Sequence, residues 1–449
     1  MSIEDALYPF LKFYKNLPYP IKFLLGHLYR TLPISFKYGS FYNSYMSRIK
    51  YFNTEEGKAL QNRQIESALK NLSFYKNRNF SNLIEFPIVN KQIINADFQG
   101  FVNHNNRNKI KTNTGGSSGN PFEFYLEKSV SRSKEKAHFD WYWGMFGYKP
   151  GDKVLIIRGE SLAGKKLFEY QTLDNKLALS CYLLNNRNID KVVSHINEFK
   201  PRFIHAYPSA LKNFINLVND SSVSLKVDIL GVFLGSETLL EDDRELINSY
   251  FKAKIAHWYG QSERLIFAGN CPDSNDLHIF PFYGYTELVD DNDSVIRDSG
   301  IKGRIIATGF DNDVMPFIRY DTGDEAEYSE NTNCKCGFKG KSFKVIHGRK
   351  QDYVYLKDGS KVSLTAFIFG QHFEEFSIIS EIQLRQQERG FLNIVIVLKE
   401  KNSLNIKGFI QKLETSVQGE IVISLEVVKS IPKTLRGKHV FLIQNIKDL

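Results

Sequence analysis

Nowhere in the 449 residues do eighteen apolar residues follow one another, so no membrane-spanning helix is expected. Cysteine is scarce: four in a chain of this length do not make a disulfide framework and fit a reducing compartment. There is no internal repeat and no low-complexity segment, which excludes solenoid and linker architectures. The opening residues carry Glu4 and Asp5 in place of the basic, apolar, small-residue order of a secretory leader, so a soluble, cytoplasmic protein is the expectation. No stretch has the pattern of a nucleic-acid-binding module, and the net charge of +9 is therefore not read as a nucleic-acid surface.

What is present is an ordinary globular composition, 42% hydrophobic and 24% charged, in a chain long enough for more than one structural unit. The first hundred residues read as helices with breaks at Pro18 to Pro20 and at Pro33, an arm over the main body. Residues 1 to 50 hold seven Lys/Arg against two Asp/Glu among many aromatics. Such an arm either meets a membrane surface, an acidic partner or a second copy, or packs its aromatics on the body and solvates its lysines. A helix is expected over Ser129 to Phe146, with Phe139, Trp141, Trp143 and Phe146.

From there the pattern alternates. Strands are expected at 153–158, 202–207, 228–236 and 254–260, with helices at 208–219 and 240–251 between them. The fold class is α/β with a mainly parallel sheet, whose ligands bind at the carboxyl ends of strands. Beyond Pro281 the runs shorten into a β-rich subdomain. Strands at 380–385, 392–398 and 422–428 and a helix near 406–418 make a small α+β unit at the end. The expected division is an arm over 1–100, a core over 101–347, a joint at 348–352 and the small domain over 353–449.

The run TNTGGSSGNP, Thr112 to Pro121, has glycines that let successive amide N–H groups point into one concavity, and hydroxyls on Thr112, Thr114, Ser117 and Ser118. A phosphate fits there, although Gly/Ser/Asn runs also form plain loops. Four later stretches join it: WYGQSE (258–263), IRYDTGD (318–324), GRKQDYV (348–354) and PKTLRGK (432–438). In this order and spacing the five resemble the adenylate-forming superfamily, ligases that activate a carboxylate as an acyl-AMP, and within it the phenylacetate–CoA ligase and CapK-like branch.

The resemblance implies ATP, Mg²⁺ and a carboxylic acid, with CoA as acyl acceptor. The alternatives are an amine on an amino acid or sugar precursor in surface-polysaccharide assembly, and a nucleotide-binding homologue without turnover. It further implies that Thr114, Gly115, Gly116, Ser117, Ser118 and Gly119 hold the β- and γ-phosphates, that Ser262 donates to the α-phosphate and that Glu263 holds Mg²⁺. Gly235, Ser236, Glu237, Tyr259 and Gly260 would border adenine, Asp324 the ribose hydroxyls, and Arg349 the ribose and phosphate. Lys438 would bridge the reacting carboxylate and the α-phosphate; Lys433 is the other candidate. Asn120 departs from the family, which usually has lysine there. Read alone, Glu263 is a surface acid and Asp324 a turn former.

Cys271, His278, Cys334 and Cys336 make a candidate structural Zn²⁺ site, since three thiolates and one imidazole are a known ligand set. The Cys-x-Cys gap is tighter than usual, and the other reading is a pair of reduced cysteines in a turn. Cys181 reads as core. For the acid substrate, Trp141, Phe146, the strand end at His205 to Tyr207 and Trp258 lean towards an aryl or extended apolar acid, although core packing asks for the same residues.

Overall fold

The computed structural model describes residues 10 to 446 apart from 11–12, 15, 77, 79, 114–121, 159–161, 163–165, 182, 238, 348–352, 365–366, 368–372, 399–402, 418 and 433–441. Thirteen strands form one continuous sheet. Its parallel half runs, in spatial order, through Lys176–Ser180, Val154–Arg158, Phe203–Ala206, Gly231–Gly235 and Lys254–Gly260. These strands are apolar along most of their length because both faces are covered, with polar residues mainly at their ends. Leu155, Ile157, Ile204 and Leu234 pack under the helices Ile189–Phe199, Pro208–Asn219 and Glu241–Phe251. Their neighbours Val154, Ile156, Phe203 and Phe233 face Tyr142 and Trp143 of the helix Val130–Gly144.

The β-rich part continues the same sheet. Phe267–Cys271 pairs antiparallel with Lys254–Gly260, and five longer strands and the two-residue Val295–Ile296 follow. A separate antiparallel pair joins Lys109–Asn113 to Glu123–Glu127, with Thr112 opposite Phe124. The last unit is a four-stranded sheet in the order Val422–Val427, Phe391–Leu398, Ile379–Gln386, Leu442–Gln444. It has its own core, in which the helix Ile406–Ser416 contributes Phe409 and Leu413.

Among the described residues the long helices of the arm are Tyr19–Thr31, Ile34–Tyr51 and Thr54–Asn71. Pro18 caps the first and Pro20 falls in its first turn, where a missing N–H costs nothing; Pro33 separates it from the second. A third break, at Asn53, is a side-chain cap on Glu56 N at 2.9 Å. The second helix buries Tyr38, Tyr42 and Tyr45 against Val130 and Ala137, and Tyr42 donates to Asp140 at 3.0 Å. Arg48 grips Asp311 with two hydrogen bonds of 2.7 and 2.9 Å. Lys134 lies 3.6 Å from the same carboxylate and donates to the carbonyls of Tyr283 and Phe310. Burial brings that ammonium down to about 8, against the pull of Asp311.

Candidate active site

At Gly260 the chain leaves the last parallel strand, turns through Gln261 to Arg264, and returns along Phe267–Cys271. This turn stands at the carboxyl end of the parallel half, where ligands of such sheets bind. Tyr259, one residue earlier, donates to Asp324 Oδ2 at 2.8 Å. Asp324 reaches it from the strand Tyr320–Tyr328 because that strand bulges: Asp321 pairs with Ile306 and Glu325 with Arg304, so Thr322 to Asp324 oppose Ile305 alone. Gly323 supplies the φ of 77° that the bulge needs, and its N–H donates to Asp321 Oδ1 at 2.8 Å.

Glu263 is buried, only 5% exposed, which corrects its reading as a surface acid. Tyr320 donates to its Oε1 at 2.9 Å and fixes the carboxylate; its other oxygen accepts no hydrogen bond from the described residues. Ser262 is exposed beside it on the turn. Tyr259, Ser262, Glu263 and Asp324 are thus brought together from segments some sixty residues apart, and a carboxylate so held suits a hard cation.

Gly235 lies flat against Trp258: a Cβ there would stand 2.5 Å from the indole. Ser236 follows with φ 68°, exposed. Glu237 is buried, and its Oε2 accepts the Ser209 N–H at 3.0 Å at the start of the helix Pro208–Asn219. Its side chain therefore anchors a helix, and Gly235 to Glu237 offer backbone at this edge. Gly260 has ordinary packing space, with the Ile266 carbonyl at 3.4 Å from a built Cβ. The aromatic residues of this region pack on other rings. Trp143 stacks on Phe233 at 4.4 Å and Trp141 meets Phe280 and Phe282 edge-on, while Phe146 is 3% exposed.

Thr114 to Gly119, Asn120, Arg349, Lys433 and Lys438 lie outside the described residues. Two residues at or beside these strand ends carried no role in the sequence reading. Tyr320 sits inside IRYDTGD, and Arg158 closes the apolar run VLII with a cation at a strand's carboxyl end, a signal visible in the sequence. If the Tyr259–Asp324 bond orients the carboxylate for a ribose, Tyr259→Phe should raise the KM for ATP roughly 3- to 10-fold with little change in kcat, the scale of one hydrogen bond to a charged group. Steady-state kinetics at saturating acid would read this, and an unchanged KM would remove the role.

A second cluster lies on the same sheet. Cys271 ends the strand Phe267–Cys271, His278 sits in Ser274–Ile279, and Cys334 and Cys336 come from the turn before Ser342–Ile346. Their four ligand atoms all lie within 4.8 Å of one another. Cys271 Sγ is 3.5 Å from Cys334 Sγ, and Cys336 Sγ is 3.4 Å from His278 Nε2. Ligands on a tetrahedral Zn²⁺ stand roughly 3.5–3.8 Å apart, so the donor set and its spacing fit that ion. His278 Nδ1 lies 2.8 Å from Ser342 Oγ, a partner that sets which nitrogen faces the cluster.

No protein-family model matches the chain. Protein CapK of Staphylococcus aureus is 25% identical over 412 residues, 86% of this chain and 89% of its own length. A phenylacetate–coenzyme A ligase of Pseudomonas putida is 24% identical over 47% of this chain and 48% of its own. Among solved structures, a 2-hydroxyisobutyryl-CoA ligase in complex with 2-HIB-AMP and CoA superposes with a TM-score of 0.56 at 18% identity, covering 89% of this chain and 92% of that one. The fold is that of the adenylate-forming enzymes. These likenesses place the chain with the adenylate-forming superfamily and support an acyl-adenylate-forming enzyme.

Proposed function

We propose that this protein activates a carboxylic acid with ATP, releases pyrophosphate, and passes the acyl group to CoA. The observation that carries this reading is the pairing of Tyr259 with Asp324 beside the buried Glu263, at the carboxyl ends of the parallel strands. A carboxylate attacking a phosphorus must overcome like-charge repulsion, so the site has to supply cations and donors and needs little proton transfer. Glu263 would hold Mg²⁺, Ser262 and the run Thr114 to Gly119 the phosphates, and Asp324 and Arg349 the nucleoside. Lys438 would meet the reacting carboxylate. The joint would lie at 348–352. Acid-dependent ATP–pyrophosphate exchange tests the first half-reaction; absence of exchange with aryl, fatty, amino and sugar acids alike would overturn it.

A second reading sends the acyl group to an amine on an amino acid or sugar precursor in surface-polysaccharide assembly. It is favoured by the extent of the match to CapK, nearly twice the share of this chain matched by the phenylacetate ligase. Product mass with CoA or amines decides between them.

The thiolate and imidazole cluster would hold a structural Zn²⁺. Purified protein is expected to carry about one zinc per chain, and Cys271→Ser should lose it together with several kcal/mol of stability. Metal analysis showing far less zinc in gently purified wild type would remove the site.

The arm's place would be on an anionic lipid surface, with the enzyme working from the cytoplasm. Its first helix turns its polar side inward: Gly26 is buried against Thr172, Lys22 is 4.0 Å from Glu169, and Arg30 donates to the Thr172 carbonyl. Ile21, Leu24 and Leu28 on the opposite side are 46–59% exposed. No acid occurs from residue 6 to 54; Lys22, Arg30 and Arg48 are engaged inward, so the exposed apolar side of the first helix carries this reading. The wild type should float with phosphatidylglycerol vesicles, and Leu24→Glu/Leu28→Glu should not. A dimer broken by that variant, without vesicle binding, would replace this partner.

A further inference from the structure

Arg158 stands apart from the other arginines of the core. Arg48, Arg304 and Arg319 each pair with a carboxylate; Arg158 makes no ion pair among the described residues and is held by neutral groups. Its Nη2 donates to Ser236 Oγ at 3.0 Å, its Nη1 lies 3.3 Å from His205 Nε2, and its guanidinium carbon sits 4.8 Å over the ring of Tyr207. The Nη1–Nε2 contact requires His205 to be neutral and to accept there. Burial and the neighbouring cation keep the imidazole well below its ordinary range, in agreement.

This places a fixed, partly exposed cation across the carboxyl ends of three adjacent parallel strands, reaching the strand next to the one that carries Tyr259. Two of its five donors are engaged, and a planar fork in that position matches a carboxylate or a similar anion. The aromatic residues around it do not compete for a ligand, since Trp143 and Trp258 are largely buried among other rings.

Resting on the adenylation reading above, we propose that Arg158 binds a second anionic group on the acyl substrate, so that the enzyme selects acids carrying a carboxylate besides the one that reacts. Arg158 reaches the strand next to the one that carries Tyr259, and neighbouring strands lie about 5 Å apart, so a short aliphatic or an aryl dicarboxylate is the class to test.

The full-length protein would be assayed by ATP–pyrophosphate exchange with matched pairs, butyrate against glutarate and benzoate against terephthalate. Dicarboxylate binding would be measured in parallel by calorimetry. Wild type is expected to favour a diacid by about 100-fold or more in kcat/KM. Arg158→Leu should lose that preference while keeping its activity on the monoacid and its KM for ATP, and Arg158→Lys should recover part of it. Ser236→Ala, which removes one anchor of the guanidinium, should lower the preference by about 5-fold if Arg158→Leu fails to fold. Equal or better use of monoacids by wild type, or a change confined to the KM for ATP or CoA in Arg158→Leu, overturns the proposal. Should no acid support exchange, the adenylation reading fails by itself; Arg158-dependent binding of a diacid in calorimetry would then keep the anion site, and its absence would remove that too.

Discussion

Lys438→Ala is expected to slow acyl-adenylate formation on the order of 10²–10³-fold, the usual loss for a group aimed at transition-state charge. The ammonium would lie between two anions that approach only during reaction, so its contribution is larger in the transition state than in the bound ground state. ATP affinity should accordingly change by no more than about threefold. Transfer from a preformed acyl-adenylate to the acceptor should be largely spared, because that step no longer brings the carboxylate to the phosphate. Single-turnover adenylation with calorimetric ATP binding checks both halves. Adenylation near the wild-type rate would pass the role to Lys433, whose own alanine variant is the companion measurement.

The second large effect concerns stability. Glu287→Ala should destabilise the protein by about 3–5 kcal/mol, the range for breaking a buried ion pair from one side. Glu287 and Arg319 are 3% and 4% exposed and their bond is 2.7 Å. Arg319 also donates to the carbonyls of Ile84 and Phe86, and its own carbonyl accepts the Val89 N–H. Loss of the carboxylate leaves a guanidinium in the core and loosens the end of the arm with it. Replacing both partners, Glu287→Leu with Arg319→Met, should cost much less than the single change, because no uncompensated charge remains. Denaturant midpoints for the three variants check this; a single variant as stable as wild type would show that the pair is already solvated.

The parallel strands and their helices were readable because uninterrupted apolar runs and amphipathic helices are local patterns. Lys254–Gly260 and Pro208–Asn219 fall where the residues put them. The edge strands Phe168–Gln171 and Leu442–Gln444 were not, since four and three residues carry too little periodicity. That the β-rich part extends the same sheet also escaped, because pairing of Tyr259 with Ala268 is a tertiary choice. In the site, the motif order pointed to Glu263 and Asp324, but only the fold shows Tyr320 beneath the one and Tyr259 against the other. Arg158 was missed for a simpler reason: a cation ending an apolar run is common, and its meaning depends on which strand ends lie beside it.

The grip of Arg48 on Asp311 has a consequence for how the chain is made. The two residues are 263 positions apart. At about 5–20 residues per second, the arm leaves the ribosome on the order of 10–50 s before its anchoring carboxylate exists. Until Val130, Ala137 and Asp140 have followed, Tyr38, Tyr42 and Tyr45, buried in the finished protein, would have no core to enter. Nascent chains stalled before Val130 should therefore engage holding chaperones through this arm, and chains extended past Asp311, which have both the packing partners and the anchor, should release them.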